Sequence, residues 1–143
     1  MAETKKVILD AGHGGTTDPG AVYQGRQEKN DNLRMALAVG QILSEDGVDV
    51  GYTRVQDVYQ SPLQKAQMAN NWEADYFVSF HRNAMPVPGT GSGTMSLIFG
   101  RGGDAETFAR NINKELAKTG WKDLGISERP NLVVLRDTAL PAV

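Results

Sequence analysis

Five short apolar runs separated by helix-length segments constrain this 143-residue chain more than any other feature. The runs are Lys6 to Gly12 (KVILDAG), Val48 to Arg54 (VDVGYTR), Asp75 to Phe80 (DYFVSF), Thr94 to Phe99 (TMSLIF) and Asn131 to Arg136 (NLVVLR). Each is bounded by polar or glycine-containing stretches and reads as a strand. The segments between them carry helical signals. From about Lys29 to Asp46, Leu33, Leu37, Gly40 and Leu43 make one apolar stripe and Met35, Val39 and Ile42 a second, with a stop near Gly47. Ser61, Pro62 and Gln64 fit a capping box with proline at the first helical position, opening a helix to about Asn71. Asp104 is expected to cap a third helix, with Ala105, Phe108, Ala109, Ile112 and Leu116 on its core face and Gly120 closing it. Strands that alternate with helices imply right-handed crossovers. The expected fold is α/β, a single domain with a twisted, mostly parallel sheet flanked by helices on both faces. Pro86 to Gly93 (PVPGTGSG) is the one loop rich in glycine and proline, and its composition predicts mobility.

Composition narrows the function classes. Fifteen basic residues against seventeen acidic ones give a formal charge of −2, and no Lys/Arg cluster occurs along the sequence. That balance argues against a nucleic-acid binder, which normally shows a basic face. The absence of cysteine excludes disulfides, thiolate metal sites and cysteine nucleophiles. No apolar stretch approaches a membrane span, and the opening MAETKK lacks the apolar segment of a signal peptide.

The chemistry is concentrated at strand ends. Ligands of open parallel sheets bind at the carboxyl ends of strands, where the strand order reverses. The chain has two histidines, His13 just past the first strand and His81 immediately after the third. A 2-1-3 strand order would bring both imidazoles over one crevice, and Glu28, at the start of the first helix, would lie at the same edge. Two imidazoles and a carboxylate suit Zn²⁺ with a fourth position open. Each residue also has an ordinary explanation: His13 as a turn histidine, His81 as a half-buried one, Glu28 as a favourable charge at a helix start. A phosphate cradle fits less well, because Gly12, Gly14 and Gly15 match neither the dinucleotide nor the Walker pattern. No G-x-S-x-G elbow is present for a serine hydrolase.

Several motifs, in order, resemble the zinc-dependent N-acetylmuramoyl-L-alanine amidases of the amidase-3 type. They are LDAGHGG with the following DPGA (Leu9 to Ala21), EKNDNLRMA (Glu28 to Ala36), VGYTR (Val50 to Arg54), SFHRNA (Ser79 to Ala84) and GISERPNLVVLRDTALPAV (Gly125 to Val143). The resemblance implies hydrolysis of the amide joining N-acetylmuramic acid to L-alanine in peptidoglycan, with Zn²⁺ held by His13, Glu28 and His81. It places Asn83 on the substrate groove beside the metal. It also implies a cell-wall or extracellular setting, of the kind in which autolysins and endolysins act.

Two positions depart from the family pattern. Arg82 stands where relatives often have a small residue; its guanidinium could attract stem-peptide carboxylates or be solvated. The glutamate that acts with zinc as general base in the family would fall just beyond Val143, and the closing strand and helix would be missing as well. The catalytic domain over residues 1–143 is therefore expected to bind zinc, to hydrolyse weakly, and to associate through an exposed sheet edge. Neither Glu128 nor Asp137 matches the missing base by motif. The alternative reading is a non-catalytic zinc- and peptidoglycan-binding module of the same fold, and a zinc carboxypeptidase or deacetylase is a third.

Overall fold

The computed structural model describes residues 3–83, 87, 89 and 91–143. In chain order these form β1 (Lys6–Ala11), a short hairpin β2 (Val22–Tyr23) and β3 (Arg26–Gln27), then α1 (Glu28–Glu45) and β4 (Asp49–Tyr52). They continue through α2 (Pro62–Trp72), β5 (Tyr76–Phe80), β6 (Thr94–Ile98), α3 (Asp104–Ala117), β7 (Asp123–Glu128) and α4 (Val133–Arg136).

Strand β1 is central in a parallel sheet of order β4-β1-β5, the expected 2-1-3 arrangement. Val7 lies beside Val50 on one side and Tyr76 on the other, and Ala11 beside Phe80. Residues 141–143 extend this sheet along the outer side of β5. There the Phe77 amide donates to Pro141 O at 2.9 Å and the Val143 amide to Phe77 O at 3.0 Å. A second parallel ladder joins β6 to β7, with a register shift between Thr94 and Ser96. Among the described residues, the antiparallel pairing is that of the β2–β3 hairpin.

Alternation along β1 divides the core in two. Leu9 and Ala11 are buried against Ala36 of α1, with Leu33, Val39, Leu43 and Tyr52 around them. Ile8 faces the other way and packs with Phe77, Ala69 of α2 and Leu135 of α4. Helices thus cover both faces, as an all-parallel sheet requires. In the middle of α1, Gly40 leaves room for the Tyr52 ring, whose hydroxyl oxygen would lie 1.9 Å from an added Cβ. The predicted capping box is present: Ser61 Oγ accepts from the Gln64 amide, and Gln64 Oε1 from the Ser61 amide.

Some expectations are corrected. Asn131 to Arg136 is not a strand; Val133–Arg136 is a short helix with Leu132 at its N-cap. The Arg136 amide donates to Leu132 O at 2.8 Å, and the turn buries Leu135 against the Ile8 face. Packing overrides the β propensity of the paired valines there. Each stripe of α1 is split: Met35, Leu37 and Ile42 face solvent, at 54%, 37% and 60% exposure, while Leu33, Val39 and Leu43 pack on the core. The cap of α3 is Gly103 rather than Asp104, which instead begins the helix. Of the loop Pro86 to Gly93, residues 86, 88 and 90 lie outside the described residues. Among the described residues, no helix is long and apolar enough to cross a membrane.

Candidate metal centre

The carboxyl ends of β1 and β5 are tied together by a hydrogen bond from the Gly12 amide to Phe80 O at 3.0 Å. His13 and His81 leave the sheet from these two ends, and their rings meet edge to face with centroids 4.8 Å apart. Glu28, the first residue of α1, is 5% exposed and lies between them. Its Oε2 is 3.2 Å from His13 Nε2 and 3.1 Å from His81 Nδ1. One ligand atom from each of the three lies within 4.8 Å of the others, so the three could hold a metal ion.

Backbone details explain how the residues meet. His13 has φ of 64°, a left-handed conformation that non-glycine residues adopt sparingly, histidine more readily than most. The Gly14 amide secures that turn by donating to Asp18 O at 2.9 Å. Gly12 is needed for a different reason. A Cβ there would fall 2.4 to 2.7 Å from three atoms of the His81 ring. Glycine in this position lets the His81 imidazole lie directly on the backbone of the turn that carries His13.

The hydrogen bonds constrain one proton. His13 Nδ1 is 2.8 Å from Asp18 Oδ1, an oxygen that accepts, so Nδ1 donates. His13 Nε2 faces Glu28 Oε2 at 3.2 Å. It can meet that oxygen through its own proton, in the imidazolium, or offer a lone pair to a metal ion, in the neutral ring. The Glu28 carboxylate is ionised. Burial pushes its pKa up, but the bond from His81, the amides of Arg82 and Ala21 and the Asn32 side chain outweigh burial and hold it far below the ordinary carboxylate range.

A layer of buried polar residues, unforeseen in the sequence, holds this arrangement from below. Asn32, one helical turn after Glu28, donates to both Glu28 Oε2 (3.0 Å) and Gly12 O (3.1 Å). Arg54, 4% exposed, spreads its guanidinium over backbone carbonyls. Nε donates to Ala11 O at 3.0 Å, and Nη2 to Gly12 O at 3.2 Å and Lys29 O at 2.9 Å. It therefore grips the residues before His13 and after Glu28 together. Burial lowers its pKa, partly offset by the charges of Asp10, Asp57 and Asp18. Deeper still, Asp10 pairs with Lys65 Nζ at 2.9 Å and accepts from Thr53 and Ser79 hydroxyls at 2.8 and 2.6 Å. No local pattern marks this layer: Lys65 lies in a helix rich in polar residues and Arg54 at a strand end.

Arg82 and Asn83 follow His81 on the exposed rim. Arg82 is not simply solvated, because its guanidinium pairs with Asp31. The two acidic residues considered near the end of the chain are engaged elsewhere. Glu128, at the end of β7, accepts from the Arg101 amide at 3.1 Å, and Asp137 pairs with Arg136 at 2.9 Å.

Comparisons with known proteins agree on one family. The family described as N-acetylmuramoyl-L-alanine amidase (Amidase_3) matches residues 7–143. The chain is 38% identical over 142 residues to the sporulation-specific N-acetylmuramoyl-L-alanine amidase of Bacillus subtilis (strain 168), covering 96% of this chain and 53% of that protein. It is 39% identical over 146 residues to the endolysin of Bacillus phage SPP1, covering 98% of this chain and 53% of the endolysin. The chain thus spans about half the length of these curated relatives. Among solved structures, N-acetylmuramoyl-L-alanine amidase from Clostridium difficile 630 superposes with a TM-score of 0.92 at 32% identity, over 99% of this chain and 77% of that one. The catalytic domain of CwlV from Bacillus (Paenibacillus) polymyxa var. colistinus gives 0.87 at 36% identity, over 97% and 77%.

Proposed function

This chain belongs to the N-acetylmuramoyl-L-alanine amidase family (Amidase_3), and from that premise we propose that it hydrolyses the amide between N-acetylmuramic acid and L-alanine in peptidoglycan, using Zn²⁺ held by His13, Glu28 and His81. The observation that carries the metal assignment is the convergence of His13, Glu28 and His81, each with a ligand atom within 4.8 Å of the others. The donor set supports zinc: two imidazoles and a carboxylate, with room for a further ligand, are of the kind that hold it in hydrolytic sites.

Bound by these residues, zinc would supply Lewis acidity toward a carbonyl oxygen and a water molecule. The chain's own residues set up that chemistry. Asp18 fixes the His13 tautomer, so that Nε2 points into the crevice. The amides of Ala21 and Arg82, at 3.0 and 2.9 Å, keep Glu28 ionised and immobile. Exposed Asn83 and Arg82 form the rim over which a muramyl peptide approaches. The His81 side chain, 47% exposed, leaves the crevice open on the substrate side. A cell-wall or extracellular setting follows from this substrate.

Product analysis on purified peptidoglycan tests the reading. An amidase frees a new amino terminus at L-alanine. Release of a terminal amino acid would indicate a carboxypeptidase, and binding without any product would indicate a non-catalytic module.

A further inference from the structure

Three arginines that are scattered in the sequence meet on one carboxylate beside the metal centre. Arg26, on the β2–β3 hairpin, makes a two-pronged contact with Asp31 through Nε at 2.8 Å and Nη2 at 3.1 Å. Arg82 pairs with Asp31 Oδ2 through Nη1. Arg34 Nη1 lies 3.9 Å from Asp31 Oδ1. The Asp31 side chain is 12% exposed, whereas those of Arg82, Arg26 and Arg34 are 50%, 65% and 78% exposed. One carboxylate offsets only one of the three charges. A local surplus of positive charge therefore stands on a chain whose net charge is −2.

The cluster is registered to the crevice. Asp31 lies three residues beyond Glu28 on α1, and Arg82 follows His81 and donates its amide to Glu28 Oε2 at 2.9 Å. Asp31 sets the direction of the two guanidiniums while each keeps unused N–H donors facing solvent. Guanidinium is permanently charged and matches a carboxylate with two parallel bonds. Donors already oriented lose less entropy when an anion arrives. Exposed ion pairs of this kind contribute little to stability, so the fold itself does not require the cluster.

We propose that Arg26 and Arg82, oriented by Asp31 and reinforced by the charge of Arg34, form a carboxylate-binding subsite that selects stem peptides with a free side-branch carboxylate over their amidated forms. The subsite rests on the muramyl-peptide reading above and names what that reading leaves open, the stem-peptide chemistry preferred.

Titration calorimetry on the zinc-loaded chain at low salt tests it, with N-acetyl-L-alanyl-D-glutamyl-L-lysine as the probe. Two further probes carry an amide in place of the D-glutamyl α-carboxylate or of the C-terminal carboxylate. Amidation at one of these positions is expected to weaken binding about tenfold, and the sensitive position identifies which carboxylate is held. Arg82→Ala and Arg26→Ala should erase that difference, Arg82→Lys should retain part of it, and Arg110→Ala, on α3, should leave it unchanged. Equal affinities for all three probes, or an Arg82→Ala chain with native circular dichroism that keeps the full ratio, would overturn the subsite. Cleavage of muropeptides is read separately. Discrimination without hydrolysis removes the amidase reading and keeps the subsite; hydrolysis without discrimination does the reverse.

Discussion

Strands β1, β4 and β5 end among buried charges, whereas β6 and β7 are braced mainly by exposed ones. Beneath the histidines, Asp10, Lys65, Arg54 and Asn32 are each at most 5% exposed and bonded to one another's surroundings or to the backbone of the ligand turns. In the β6–α3–β7 half, the buried polar side chains among the described residues are Asn113 and Ser96. Asn113 accepts from Ser96 Oγ at 2.6 Å and donates to Gly125 O at 2.9 Å and Asp123 Oδ1 at 3.2 Å. The remaining polar contacts there are surface pairs such as Arg110–Glu106 and Lys118–Glu115. The halves meet where Phe108 packs on Tyr76, at 4.6 Å between ring centroids, and where Leu97 joins the Ile8 cluster. Apolar packing is enough to hold two strands and a helix together. Holding His13, Glu28 and His81 in register takes directional bonds, and the buried polar groups are concentrated there.

Substitutions can break this contrast. The largest effect is expected from Asp10→Ala, which strands Lys65 as a buried cation and should destabilise the chain by about 3–5 kcal/mol in urea unfolding. A cost below about 1 kcal/mol would mean that the floor of the site is not held by this pair. Gly12→Ala should displace the His81 ring and lower metal affinity roughly 10–100-fold, read by competition with a chromophoric chelator. Unaltered affinity would show that the close approach is dispensable. In the other half, Asn113→Ala should cost about 1–2 kcal/mol and leave metal affinity alone; coupled loss of both would erase the distinction between the halves. Arg110→Ala, which removes an exposed i,i+4 pair, should change stability by no more than about 0.5 kcal/mol.

Much of this was legible in the residues, for identifiable reasons. The first strand was evident because KVILDAG is apolar on both faces, as a central parallel strand must be. The histidines were evident because the only two in the chain both follow apolar runs. The strand β7 was not evident. Its DLGISE offers only Leu124 and Ile126 as apolar residues, and Gly125 has φ of 92°, an irregularity that the β6 ladder absorbs through its register shift. The hairpin β2–β3 turns on Gln24 and Gly25, both with positive φ. That fits a type I′ turn, but glutamine in place of asparagine or aspartate hides the usual signal. The helix α4 was misread because a run as short as LVVL has no period of its own. The buried support of the site was invisible for another reason. Nothing local distinguishes Arg54, a charge at a strand end, from a solvated arginine; only the sheet order shows that it lies under both ligand turns.

The central claim is that His13, Glu28 and His81 together hold one metal ion. Elemental analysis of the purified chain after dialysis against trace zinc, compared with His13→Ala, Glu28→Ala and His81→Ala, tests it most directly. The account predicts about one zinc per chain for the unaltered protein and little or none for each variant. Undiminished zinc in the His81→Ala chain would contradict it.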